Sequence, residues 1–124
     1  AADLSVHRAG VESLLISECT RNLMKSIDII VNTTPVGMSP DTEEIPLDPG
    51  LLSPEHRVMD IVYSPRHTLL LREAMKINCT VIEGRSMLLY QGARQFELWT
   101  GAEAPVETMK RALFELLPPD LPVR

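Results

Sequence analysis

The chain has 124 residues, 44% of them hydrophobic, and 17 acidic against 12 basic side chains for a formal net charge of −5. That length suits one domain with a modest core. An acidic balance without a basic run argues against a nucleic-acid partner, and no apolar stretch is long enough to cross a bilayer.

The N-terminus, from Ala1 to Ser5, carries neither a basic region nor a long apolar core, so it does not read as a signal peptide. It also lacks an initiator Met, and the chain is expected to begin partway through a longer one. Residues 1–27 read two ways. Val11 to Ile16 fits a strand followed by a short helix. Val11, Leu14, Leu15, Leu23 and Ile27 equally fit the stripe of one continuous helix.

Ile29 to Asn32 is β-branched and bounded by polar residues, as a buried strand is. Thr33 to Met38 is the loop at its end, with Pro35 and Gly37 as breakers. Residues 39–57 form a long, Pro-rich, acidic loop with a helical turn after Asp48. Val58 to Tyr63 is a second buried strand, followed by the turn Ser64-Pro-Arg-His67. Thr68 caps a helix running to Asn78, with Leu69, Leu70, Ala74 and Met75 inward. Cys79 to Ile82 is a third short strand.

Ser86 opens the next helix and Gly101 stops it after Thr100. Phe96 and Trp99 read as core residues on it. A last helix covers Ala104 to Leu117, with Pro105 suited to its first turn and Pro118, Pro119 and Pro122 beyond its end. Cys19 and Cys79 are far apart and read as two buried or half-buried thiols in a reducing compartment, with a disulfide as the lesser alternative. His7, His56 and His67 are dispersed, so no metal site is suggested.

This alternation predicts an α/β sheet, where ligands bind at the carboxyl ends of the strands. The unusual residues lie at those ends. Asn32-Thr33-Thr34 offers amide and hydroxyl groups, either as a ligand contact or as a turn bonding its own backbone. Tyr63 is either a core aromatic with its hydroxyl at the rim or a ligand contact. Gly84 permits close backbone approach. Met87 and Gln91, four apart, share a helix face, where a Gln amide suits a polyhydroxylated ligand better than a core. Asp60 reads as a strand carboxylate satisfied by neighbouring donors. Arg66 and His67 read as solvated turn residues.

Three blocks carry a resemblance. They are Asp28-Ile-Ile-Val-Asn-Thr-Thr-Pro-Val-Gly-Met38, Asp60-Ile-Val-Tyr-Ser-Pro65 with Thr68-Leu-Leu-Leu71, and Gly84-Arg-Ser-Met-Leu-Leu-Tyr-Gln91 running into Phe96-Glu-Leu-Trp-Thr-Gly101. In order and spacing they resemble the C-terminal part of shikimate dehydrogenase. The resemblance implies a partial Rossmann-like, doubly wound parallel sheet over residues 28–124, preceded by a connecting segment over residues 1–27. It implies an NADP-dependent oxidoreductase that reduces 3-dehydroshikimate to shikimate, a cytoplasmic enzyme of aromatic amino-acid biosynthesis. Thr34, Val36, Met38, Ile61, Gly84 and Met87 would contact the nicotinamide side of NADP. Tyr63 and Gln91 would contact the substrate.

No position matches the family's Gly-rich phosphate turn, its 2′-phosphate reader or its catalytic Lys–Asp pair. The piece alone is therefore expected to be inactive, and NAD is not excluded as cofactor. A quinate-using relative and a non-catalytic interaction module are the alternatives. The same likeness makes Ile29 to Asn32 the fourth strand of its sheet, with its first-strand neighbour missing. That open edge is expected to pair with Val11 to Ile16, to be covered by a helix from the segment before Asp28, or to drive self-association.

Overall fold

The computed structural model describes residues 11–116. What the sequence suggests for residues 1–10 and 117–124 lies outside the described residues.

Three parallel strands form the sheet in the order β1-β2-β3: β1 is Ile29–Asn32, β2 is Arg57–Asp60 and β3 is Thr80–Ile82. The register sets Ile30 beside Val58 and Val81 on one face. It sets Val31 beside Met59 and Ile82 on the other. Because strand side chains alternate, each face is one row of the pleat.

The first face is covered. Helix α2 (Leu69–Lys76) lays Leu70, Leu71 and Ala74 on it, and Leu47, Leu52 and Met24 close its margins. Val58, Leu71 and Ala74 are 0% exposed. The inward residues differ from the expected set, since Leu71 takes the place of Leu69 and Met75 is exposed. The start of the helix decides this. Thr68 caps it as expected, but its buried hydroxyl is also tied to β2, which rotates Leu70 and Leu71 toward the sheet. Asn78, at φ 64°, ends the helix in the left-handed region, and the Cys79 N–H returns to the Ala74 carbonyl.

The second face is bare. Ile29 is 58% exposed, Val31 44% and Ile82 39%. Among the described residues no strand pairs with the outer edge of β1. The continuous helix does not hold, and of the strand-then-helix reading only the short helix does. Val11 to Leu15 is neither strand nor helix, Ile16–Glu18 is one 3-10 turn, and α1 (Arg21–Met24) is a single helical turn. Cys19 is extended, which breaks the stripe, and the Thr20 hydroxyl accepts from the Leu23 N–H to start a new helix. Buried His56 anchors this segment. Its Nδ1 accepts from the Ser53 N–H, so Nε2 carries the proton donated to the Met24 carbonyl, 3.0 Å away.

Helix α3 (Gly84–Thr100) begins two residues earlier than expected and ends where expected, at Gly101 with φ 69°. It packs against α4 (Val106–Leu116), which starts after Pro105. Trp99, expected in the core, is 80% exposed, and Phe96 is half-buried. Both cysteines are free, as expected. Cys79 is buried and donates to the Ser53 carbonyl, and burial pushes its thiol pKa up.

Candidate functional site at the carboxyl ends of the strands

A polar knot joins the ends of β1 and β2. Asn32 Oδ1 accepts from the Thr34 hydroxyl at 2.7 Å and from the Thr34 N–H at 3.0 Å. Its Nδ2 donates to Asp60 Oδ1 at 3.0 Å and to the Val36 carbonyl. Asp60 Oδ1 also accepts from the Val62 N–H, and Oδ2 accepts from the Thr68 hydroxyl at 2.7 Å. Asp60 is fully buried, and three donors offset its loss of water. This is the structural role expected of Asp60, and it makes the Asn32 loop a turn bonding its own backbone. One carboxylate thereby sets the exit angle of both strand-end loops.

The two loops also touch directly, since the Ser39 N–H donates to the Ser64 carbonyl at 3.0 Å. Three consecutive residues at the start of α3 then grip the second loop. Glu83 Oε2 meets Arg66 Nε and Oε1 meets His67 Nε2, each at 2.9 Å. A Cβ on Gly84 would stand 2.5 Å from the Ile61 carbonyl oxygen and closer still to that of Val62. Buried Arg85 donates from Nε to the Tyr63 carbonyl at 3.2 Å.

Arg66 is therefore a partly buried ion-pair partner and His67 a partly buried hydrogen-bond partner of Glu83, not the solvated turn residues expected. Partial burial pushes the Glu83 pKa up, but the hydrogen bonds and charges of Arg66 and His67 outweigh it and hold the carboxyl below its ordinary value. The glycine at 84 is required by the protein's own backbone, whatever else approaches it.

Of the expected site residues, Thr34, Val36, Met38, Ile61, Tyr63 and Gly84 lie on the two loops and the helix start that meet here, and Met87 and Gln91 lie further along α3. Thr34 and Met38 are exposed on the first loop, with Val36 half-buried between them. Ile61 is half-buried and Tyr63 exposed on the second. Gly84, Met87 and Gln91 occupy positions i, i+3 and i+7 of α3, hence one helix face, and Gly84 fixes the end of that face against Ile61 and Val62. Met87 and Gln91 are exposed. A cavity of about 380 Å³ lies elsewhere, around the free edge of β1, walled by Ile16, Leu23, Ile30 and Leu47. Of the expected site residues only Thr34 reaches it. Among the described residues no three His, Cys, Asp or Glu side chains stand close enough to hold a metal.

Glu83 and Arg85 were not singled out from the sequence. The available signal was charge complementarity: an acid directly before a helix-opening glycine, and two basic residues, Arg66 and His67, in the turn after β2.

A parallel sheet whose loops meet at the strand carboxyl ends, with a glycine-led helix beside them, defines the C-terminal portion of an α/β dinucleotide-binding domain. The comparisons give the particular likeness. Residues 84–114 match the family described as shikimate 5'-dehydrogenase C-terminal domain. Over 97 residues the chain is 47% identical to shikimate dehydrogenase (NADP(+)) of Moorella thermoacetica, covering 78% of this chain and 33% of that protein. The Thermus thermophilus shikimate 5-dehydrogenase structure, in complex with NADP(H) and shikimate, superposes with a TM-score of 0.72 at 34% identity. That match covers 80% of this chain and 38% of the other. Quinate dehydrogenase from Corynebacterium glutamicum in complex with NAD gives a TM-score of 0.71 at 33% identity, covering 77% and 34%. The chain is similar to the C-terminal part of shikimate dehydrogenases, and it spans about a third of the length of the curated relatives it matches.

Proposed function

We propose that this chain forms the nicotinamide-side wall and part of the substrate wall of an NADP-dependent shikimate dehydrogenase, an enzyme that reduces 3-dehydroshikimate to shikimate. The observation that carries the reading is the meeting of the loop bearing Thr34, the loop bearing Tyr63 and the Gly84 end of α3 at the strand carboxyl ends, in a chain 47% identical over 97 residues to such an enzyme.

The residues present fit part of the cofactor. Exposed Met38 and Met87 and half-buried Ile61 offer apolar surface suited to a flat heteroaromatic ring, with the Thr34 hydroxyl at its margin. When bound, the reduced nicotinamide supplies hydride. The chain's own residues orient and exclude water: Met38, Ile61 and Met87 shield the ring, while Val36 holds the loop backbone beside it. The Gln91 amide, with a donor and an acceptor, and the Tyr63 hydroxyl suit the hydroxyls of a polyhydroxylated ring.

No Lys–Asp pair of the kind the family uses stands among these rim residues, so the 124 residues alone would bind without turning over. A quinate-type substrate and NAD fit the same rim residues; NADP and shikimate are preferred because they belong to the relatives with higher identity. The protein acts in the cytoplasm, consistent with two free thiols. The bare edge of β1 is the surface through which two copies would associate.

The test is a ¹H–¹⁵N titration of the chain with shikimate and with NADP⁺, each to about 10 mM, since millimolar affinity corresponds to only ~4 kcal/mol. Shikimate is expected to shift Tyr63 and Gln91. NADP⁺ is expected to shift Thr34, Met38 and Met87. Shifts confined to the β1-edge cavity, or none at all, would overturn the assignment.

A further inference from the structure

We propose that Glu83 is a positioning residue: its single carboxylate holds the two rim loops in place and thereby sets Tyr63 and the Thr34–Met38 loop for ligand. The proposal rests on the reading of the rim as a substrate site.

Glu83 occupies the N-cap of α3, where Ser, Thr, Asp or Asn would normally satisfy the first helical amides. Its side chain makes no capping hydrogen bond. Both oxygens are directed away from the helix, to Arg66 and His67 at 2.9 Å each. Those two adjacent residues lie between the Tyr63 carbonyl, held by Arg85, and the buried cap Thr68. The held stretch includes Ser64, whose carbonyl receives the Ser39 N–H. A line of contacts thus runs from Glu83 through residues 64–67 to Ser39, at the end of the loop bearing Thr34, Val36 and Met38. The Arg66 guanidinium also lies 5.7 Å over the Phe114 ring, so α4 braces the same cluster.

The geometry separates this role from ordinary helix capping and from core packing. A capping carboxylate would face the amides of its own helix. A packing residue would not need two directed, charge-assisted bonds to neighbouring residues of another segment.

The experiment compares Glu83→Ala, Glu83→Gln and Glu83→Asp in the full 124-residue chain. Amide exchange at Ser39 reports the junction between the loops, and exchange at Val58 reports the core. Shikimate titration at Tyr63 reports the site. Two partly exposed charged contacts lead us to expect Glu83→Ala to speed Ser39 exchange about tenfold and weaken shikimate binding by a similar factor, with Val58 unchanged. Glu83→Asp should restore most of both effects, and Glu83→Gln should fall between.

Unchanged Ser39 exchange in Glu83→Ala would overturn the proposal. So would faster Ser39 exchange without loss of shikimate affinity, or equal acceleration at Ser39 and Val58 in all three variants. If the unsubstituted chain shows no shikimate shifts, the substrate reading fails and the positioning role falls with it; Ser39 exchange then still shows whether Glu83 holds the loops.

Discussion

The two faces of the sheet are built from equally apolar strands, yet only one is a core. Ile30, Val58 and Val81 lie under α2 and the 45–52 loop. Ile29, Val31 and Ile82, one residue away along the same strands, face solvent. Parallel strands are normally buried on both faces, and their sequences run continuously apolar for that reason. The bare face therefore has the composition of a surface that is covered, and its residues add little to the stability of the chain by itself. The comparison teaches that apolar composition marks what a strand is suited to bury against, while burial in a given chain depends on which elements are there to cover it.

Substitutions on the two faces test this directly. The largest effect is expected at the knot beneath the covered face. Asp60→Ala strands the Asn32 amide and the Thr68 hydroxyl and should cost about 3 kcal/mol, read from urea unfolding. Leu71→Ala on the same side should cost about 2–4 kcal/mol. Val31→Ala, on the bare face, should cost under about 0.5 kcal/mol. Comparable losses for Leu71→Ala and Val31→Ala would show that the second face is covered in solution.

Between these lies Gly84→Ala. Its Cβ would meet the Ile61 and Val62 carbonyls, and backbone cannot swing away as a side chain can. A loss of about 1–3 kcal/mol is expected. A neutral result would mean that α3 is not seated on the second loop as described. A charge on the bare face, Val31→Lys, should leave the unfolding midpoint near that of the parent chain and lower any self-association seen in sedimentation. Association unaffected by that charge would place the contact elsewhere.

The smallest effect is an acid one. The Glu83 pKa is lowered in the folded chain, so its contribution to stability is fully present above the unfolded carboxyl value. It is lost as pH falls through the lower folded value. Removing it with Glu83→Gln should therefore narrow the difference between variant and parent as the solution is acidified below the ordinary carboxylate range. A difference that widened on acidification would contradict the ion-pair assignment.

Much of this arrangement is legible in residue order. The three strands, though β2 ends at Asp60 and not at Tyr63 as expected, the Thr68 cap, the Gly101 stop and the turn after Asp48 follow from local chemistry, because β-branched runs, capping hydroxyls and left-handed glycines act over a few residues. Asp60 was readable as a satisfied strand carboxylate. What failed depended on partners distant in the chain. One of the two readings made the stripe from Val11 to Ile27 a continuous helix, but Thr20 restarts the helix, and Leu14, Leu15 and Ile16 are exposed. Trp99 read as core, yet it is 80% exposed on α3. Arg66 and His67 looked solvated because Glu83 lies far along the chain. At the site, residue types at strand ends marked the rim, and the resemblance supplied the roles; the grip of Glu83 and Arg85 on the second loop needed coordinates.

The most direct measurement is shikimate binding by Gln91→Ala, followed at the Tyr63 amide alongside a thermal melt. Gln91 is exposed on α3, so removing its amide should leave the melting temperature within about 1 °C of the parent. Losing one or two hydrogen bonds to ligand, about 1–3 kcal/mol, should collapse the Tyr63 shifts at a shikimate concentration that saturates the parent. Intact Tyr63 shifts together with a large drop in melting temperature would make Gln91 a structural residue and would contradict the placement of the substrate at this rim.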